Sequence, residues 1–340
     1  MNQQAPLPKM APFRIDPMFV ERVWGSRDLR PWYDRVAERE PIGEVWLTGD
    51  DCRVATGAHA GKKLGDLFHE AHASLLGADN PQTDSPLLIK VIFAKEKLSV
   101  QVHPDDAMAQ KYGQPRGKTE CWYALAAEPG AKVAVGLKPG VTLRQVEEEI
   151  GAGTLEDSLN VISVTAGETI NVDAGTVHAI WPGSFLLETQ QNCDLTYRMF
   201  DYGRGRELHI ERALEALRLS TGSGKVAPQV AEDRTVLIDG RNFRLEKIPV
   251  AGSRTSASLR GAGEQAESQA GPGLAYLFAA AGSARITGSG MEAVELLARG
   301  VVAVAANSPD FVVEDLGGLD LIRITTGRAS GHGLTGGWGR

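Results

Sequence analysis

Apolar and polar positions alternate along most of this chain in short runs of period two, the pattern of β-strands half buried in a core. Residues 87–103 are β-rich, and Pro104, Asp105 and Asp106 predict a turn that ends the run. Further strands are predicted over 119–126, 160–164, 168–172, 177–180 and 185–190, with Gly-containing turns between them. Three stretches carry helical spacing instead. Residues 62–77 place Leu64, Leu67, Phe68, Leu75 and Leu76 on one face, and 204–218 returns to the same period. Residues 142–159 open on Thr142 as N-cap and are interrupted by Gly151 and Gly153. The segment 14–49, which mixes aromatics, prolines and turn residues, predicts a strand or two.

The pattern changes after residue 220. Residues 220–229 are poor in large apolar side chains and read as a linker, while 235–326 alternates short β-rich segments with Gly/Ala/Ser turns, as a second small barrel or sandwich would. The Gly-rich end, 327–340, predicts a frayed or locally packed tail. The expected division is therefore 1–225 and 226–340.

Composition narrows the function classes. A chain of 340 residues, 42% hydrophobic and 23% charged, is ordinary for a globular protein of two domains. A net charge of −7 argues against nucleic acid and anionic membrane surfaces as partners. No apolar run reaches the roughly 18 residues of a membrane span. Met1–Pro12 lacks the apolar core of a signal peptide. Three scattered cysteines fit a reducing compartment, so the expected location is the cytoplasm.

The chemistry concentrates in three motifs. In the run Ser99-Val-Gln-Val-His103, strand parity turns Ser99, Gln101 and His103 the same way. Glu120, in Lys118-Thr-Glu-Cys-Trp122, and His178, in Ala174-Gly-Thr-Val-His178, can join them from neighbouring strands. Gln, His, Glu and His without a thiolate form the donor set of a catalytic zinc, since structural zinc sites recruit cysteines. One carboxylate leaves the ion about one positive charge with which to polarise a substrate. The second half has no histidine between His209 and His332 and cannot repeat such a site.

These motifs resemble those of the cupin superfamily, small jelly-roll barrels that hold a metal, and more finely those of type I phosphomannose isomerases in their short bacterial form. At the cupin level Gly167, Asp173, Gly175 and His178 match the second metal motif, with Asp173 where a proline is usual and Trp181 where an asparagine is usual. At the finer level the resemblance rests on Lys90, on 97–105, on 117–122, on 174–179 and on 187–198, and covers roughly residues 13 to 215. It implies a mainly β fold of two cupin-type jelly-roll barrels with a few flanking helices, the second barrel degenerate and metal-free. It implies one Zn2+ per chain on Gln101, His103, Glu120 and His178. Arg198 would be the active-site arginine with Glu188 and Asp194 as associated acids, and Ser99, Lys90 and Lys118 would line the substrate pocket.

The reaction so implied is isomerisation of mannose 6-phosphate and fructose 6-phosphate through a cis-enediol(ate), by a monomer or homodimer. Arg198 would stabilise the developing charge or hold phosphate, with Lys90 and Lys118 adding positive potential. For the general base Asp194, Glu188 and Lys118 stay open, an acid near Arg198 being favoured. Two other classes compete: a catalytically silent sugar-binding cupin, and an Fe(II) cupin oxidoreductase. Arg204 and Arg206, between glycines, read equally as phosphate ligands or as a solvated loop. Trp24 and Trp46 read as core or pocket-wall aromatics, Glu44 as a hydrogen-bonding structural carboxylate, and His59, His69, His72, His209 and His332 as structural or surface residues.

Overall fold

The computed structural model describes residues 7–260 and 273–327. The tail beyond 327, with His332, lies outside the described residues. The chain is mainly β and builds two jelly-roll barrels stacked in layers. The first barrel has a seven-stranded and a five-stranded sheet, the second an eight-stranded and a four-stranded sheet.

Strand parity explains the stacking. In Leu87–Phe93 every residue is buried. Leu87, Ile89, Val91 and Phe93 face a core shared with Leu245, Tyr276, Phe278, Ile322 and Ile324 of the second barrel. Ile92, and with it Lys90, faces the interior of the first barrel, where Trp122, Ala124, Leu186, Val133 and Ile180 pack. The seven-stranded sheet is thus sandwiched between its own barrel and its neighbour. The outer face of the five-stranded sheet is covered by the helices Leu143–Ala152 and Ile210–Ala216. The second barrel is closed by an apolar interior that includes Leu277, Ile286, Leu296, Val302 and Val313.

The expected linker consists of two edge strands. Gly224–Val226 pairs with Thr169–Asn171 of the first barrel, and Gln229–Val230 with Thr235–Val236 of the second. The sheets do not divide where the chain does. Phe13–Asp16 pairs with the strand Val301–Val304, and Arg53–Val54 lies beside it, so two segments inside 1–225 complete the second barrel's large sheet.

Three helical expectations change in detail. The 62–77 stretch is helical over Leu64–Leu76, with a non-helical Ala71 inside it. Thr142 does cap its helix, accepting from Gln145 N at 3.2 Å, but the helix stops at Ala152 because Gly153 adopts a left-handed turn. Of 204–218 only Ile210–Ala216 is helical, because Arg204 and Arg206 are drawn back onto the Asp201 carboxylate. The predicted turn at 104–106 opens a short helix, Asp106–Lys111, capped by Asp105 Oδ1 on Met108 N at 2.9 Å.

Candidate metal centre and substrate cleft

Five adjacent strands of the seven-stranded sheet, in the order of Glu120, Glu188, Lys90, Glu44 and Arg22, turn charged side chains toward the interior of the first barrel. Opposite them, Arg198 pairs in register with Gln101, and Gln101 with His178, so three candidate residues line up across the five-stranded sheet. A cleft of about 420 Å³ opens between the two walls.

His103, Glu120 and His178 converge at the cleft's inner end, with donor atoms all within 4.8 Å of one another and every one of the three buried. Nε2 of His103 and Nε2 of His178 lie 3.4 and 3.5 Å from the two oxygens of Glu120. On the far side of each ring, Nδ1 meets a backbone carbonyl, Leu195 O at 3.0 Å from His103 and Thr176 O at 2.9 Å from His178. An imidazole donating from Nδ1 carries its lone pair on Nε2, so both rings are pre-oriented as ligands. Gln101 completes the ring of donors, its Nε2 standing 3.2 Å from His178 Nε2 and its Oε1 accepting from Ser99 Oγ at 3.3 Å. Its amide offers oxygen or nitrogen to the centre according to how it is turned.

Electrostatics favour the forms a metal needs. Burial, with Lys118 beside it, pushes the His103 imidazole down to about 3, and burial also lowers His178, so both stay neutral. Burial alone would oppose ionisation of Glu120, but the Lys118 ammonium outweighs it and holds the carboxyl well below the usual range. Neither Glu120 oxygen makes a hydrogen bond, although both are buried. The Lys118 ammonium stands 3.0 Å from Oε2 and 2.9 Å from His103 Nε2, outside hydrogen-bond alignment with the carboxylate. Two buried carboxylate oxygens without a hydrogen bond, converging with two imidazole Nε2 atoms, fit a divalent cation.

Lys118 is placed there by Gly117. A Cβ at position 117 would lie 2.4 Å from the Asp105 backbone, and that close approach lets Lys118 N bond Pro104 O at 3.0 Å, next to His103. Asp105 and Asp106 therefore serve the backbone: Asp106 Oδ1 accepts from Gly117 N and from Gln191 Nε2, each at 2.9 Å.

The cleft floor is an alternating ion chain. Lys90 lies 2.8 Å from Glu188 Oε1 and 3.9 Å from Glu44, and Glu44 in turn accepts from Arg22 at 2.9 Å and Trp46 at 2.7 Å. Burial would lower the Lys90 ammonium, yet Glu188 and Glu44 raise it. Glu188 accepts from Trp122 Nε1 at 3.0 Å, and burial together with Glu120 raises its carboxyl. Trp24 is pocket wall, and Glu44 is both structural and in the cleft. Arg206 lines the same cleft but is held by Asp201, whereas Asp194 is exposed at its rim. His59, His69, His72 and His209 stay outside the metal group among the described residues; His209 Nδ1 accepts from Arg198 N at 3.2 Å.

The sequence reading missed Arg22, whose side chain reaches the cleft because its strand is bulged opposite Ile42. It also missed the Leu195 carbonyl, which no residue-type pattern can reveal.

Residues 13–136 match the catalytic domain of type I phosphomannose isomerase. The chain is 34% identical over 258 residues to a mannose-6-phosphate isomerase of Streptococcus mutans, spanning 70% of this chain and 80% of that protein. A probable mannose-6-phosphate isomerase of Bacillus subtilis is 32% identical over 71% of this chain and 80% of its own. The crystal structure of the mannose 6-phosphate isomerase from Bacillus subtilis superposes with a TM-score of 0.79 at 27% identity, over 93% of this chain and all of that one.

Proposed function

Because the chain belongs to the type I phosphomannose isomerase family, we propose that it interconverts mannose 6-phosphate and fructose 6-phosphate, using one zinc ion on Gln101, His103, Glu120 and His178. The reaction moves a proton between C1 and C2 through a cis-enediol(ate), so negative charge develops on the substrate oxygens. A zinc ion bound there supplies Lewis-acid stabilisation of that charge.

One observation carries the assignment of an anionic substrate. Among the described residues of the cleft, Arg22, Lys90, Lys118 and Arg206 each have a carboxylate partner. Arg198 has only the Glu207 carbonyl at 2.8 Å, and its Nε is buried without a partner. Burial, with Arg206 nearby, lowers its pKa, the mark of a positive charge that is not compensated. That charge suits a phosphate or the enediolate, either of which a guanidinium meets in two places at once.

For the proton, Glu188 is favoured over its two rivals. It faces the cleft, and burial together with Glu120 raises its pKa, the direction that suits a group exchanging a proton with substrate. Asp194 is exposed, and Lys118 is engaged by His103 and Glu120. Ser99, on the opposite wall, orients Gln101 and lines the sugar subsite. The three buried free cysteines support a cytoplasmic setting, where the chain acts as monomer or homodimer.

The test is isomerisation of mannose 6-phosphate after chelation and again after zinc add-back. Activity that is lost and then restored is expected; a folded, zinc-bound protein with no activity overturns the reading. Arg198→Ala is expected to retain zinc while kcat/KM falls roughly 10²–10³-fold. Zinc lost in step with activity would move Arg198 to the metal.

A further inference from the structure

We propose that Gln190 and Gln191 are positioning residues that clamp His103 from both sides of its ring. This inference rests on the metal set argued above. The two glutamines end the strand Ser184–Gln191 and begin the crossing from the seven-stranded to the five-stranded wall, which resumes at Tyr197–Phe200. By strand parity their side chains point to opposite faces.

Gln190 sits directly opposite Glu120 in the sheet, and its side chain is fully buried. Its Nε2 donates to Gln191 O at 2.9 Å and to Cys193 O at 2.6 Å. Both amide hydrogens thereby fix the tight turn at 191–193, where Cys193 N also bonds Gln191 O at 2.7 Å. Two residues on, Leu195 O holds His103 Nδ1.

Gln191 works on the other arm. Its Oε1 accepts from Thr119 N at 2.9 Å, its backbone N donates to Thr119 O at 3.1 Å, and its Nε2 donates to Asp106 Oδ1 at 2.9 Å. Asp106 Oδ1 also takes Gly117 N. Gln191 thus fixes both neighbours of Lys118, whose ammonium stands on the Nε2 side of the same ring. One glutamine holds the carbonyl that sets the tautomer; the other holds the cation beside the ligating nitrogen. Neither amide hydrogen-bonds a donor atom of the metal group, so the bonds each makes act through the backbone and Asp106.

The experiment measures zinc affinity of the whole protein by competition with a chelator, for wild type, Gln190→Met and Gln191→Met. Methionine keeps the length and apolar volume of the side chain and removes the amide. Each variant is expected to weaken zinc roughly 10–100-fold. The melting temperature of the metal-free protein should change far less, and saturating zinc should restore most of kcat. Zinc affinity within twofold of wild type in a folded variant overturns the proposal. A loss of kcat that saturating zinc does not restore overturns it too. If the wild type itself binds no zinc, the metal assignment fails instead. Should either variant fail to fold, the wild-type protein serves: the Gln190 side-chain amide protons should exchange slowly by NMR, and rapid exchange would sink the clamp.

Discussion

The first barrel buries Glu120 beside a cation and the second buries Glu246 among several, and the two are treated in opposite ways. Glu246 of the second barrel accepts from Arg323 at 2.8 Å and Arg244 at 2.8 Å, with Arg234 at 3.4 Å. Glu120 of the first faces a lysine and two histidines yet has no hydrogen bond to either oxygen. A carboxylate saturated by guanidinium groups is finished, and it ties three segments of one barrel together. A buried carboxylate with one lysine beside it and no hydrogen bond to either oxygen is unfinished, and a further cation completes it. The same architecture therefore serves two ends. One barrel closes on Leu277, Ile286 and Val313 and supplies packing; the other keeps charge exposed to its own cleft and leans on its neighbour for a core.

The comparison breaks or sharpens under four changes. The largest effect is expected for His178→Ala, which should abolish zinc binding and lower isomerase activity at least about 10³-fold. Metal analysis beside the activity assay checks it, and an active, zinc-replete variant would remove His178 from the ligands. Glu246→Leu should do the reverse. It removes the buried carboxylate that Arg323, Arg244 and Arg234 share and should lower unfolding free energy by about 3–5 kcal/mol in denaturant titration, with zinc affinity and kcat unchanged.

The third change is pH. His103 and His178 are held neutral in the folded protein, while in the unfolded chain they protonate near 6.5. The unfolded state then binds more protons, so stability of the metal-free protein is full above about 6.5 and falls as pH drops toward 3. The slope approaches ~1.4 kcal/mol per pH unit for each histidine. Glu246, whose pKa is lowered by its arginines against the effect of burial, loses its contribution only below its ordinary 4.5. Denaturant titrations between pH 6.5 and 5 should thus sense the first barrel's histidines, and zinc, which also requires them unprotonated, should raise stability without removing the slope. A flat profile without zinc would contradict the neutral histidines. The smallest effect belongs to Asp105→Ala at the rim of the first barrel, where loss of the N-cap should lower stability by ~1 kcal/mol. A loss several-fold greater, or released zinc, would give Asp105 a larger part than capping.

Period-two alternation was enough to find the strands that carry Gln101, Glu120 and His178, because a β-strand commits alternate residues to alternate faces. It also set Ser99 and Gln101 on one wall, where the cleft has them. The helix over 204–218 was overread because apolar spacing there is local, while Asp201 recruits Arg204 and Arg206 from across a glycine-rich loop. The capping aspartate at 105 looked like a turn residue since caps and turns use the same side-chain chemistry. Arg22 escaped because a bulge shifts parity, and bulges are invisible to alternation. The motif Lys118-Thr-Glu-Cys-Trp122 singled out Glu120, whereas no pattern marked Glu246, whose burial rests on the arginines gathered around it.

The strand Phe13–Asp16 is translated long before its pairing partner, Val301–Ala303. At about 5–20 residues per second the first must wait on the order of tens of seconds for the second. During that interval the outer face of the seven-stranded sheet, with Ile89, Val91 and Phe93, has no second barrel to cover it. The nascent chain is in this sense unfinished until the second barrel arrives, and the exposed apolar face is what a ribosome-associated chaperone would meet. Severing the chain between 226 and 229 would make that interval permanent, so the metal-binding half is not a module that can be passed on alone.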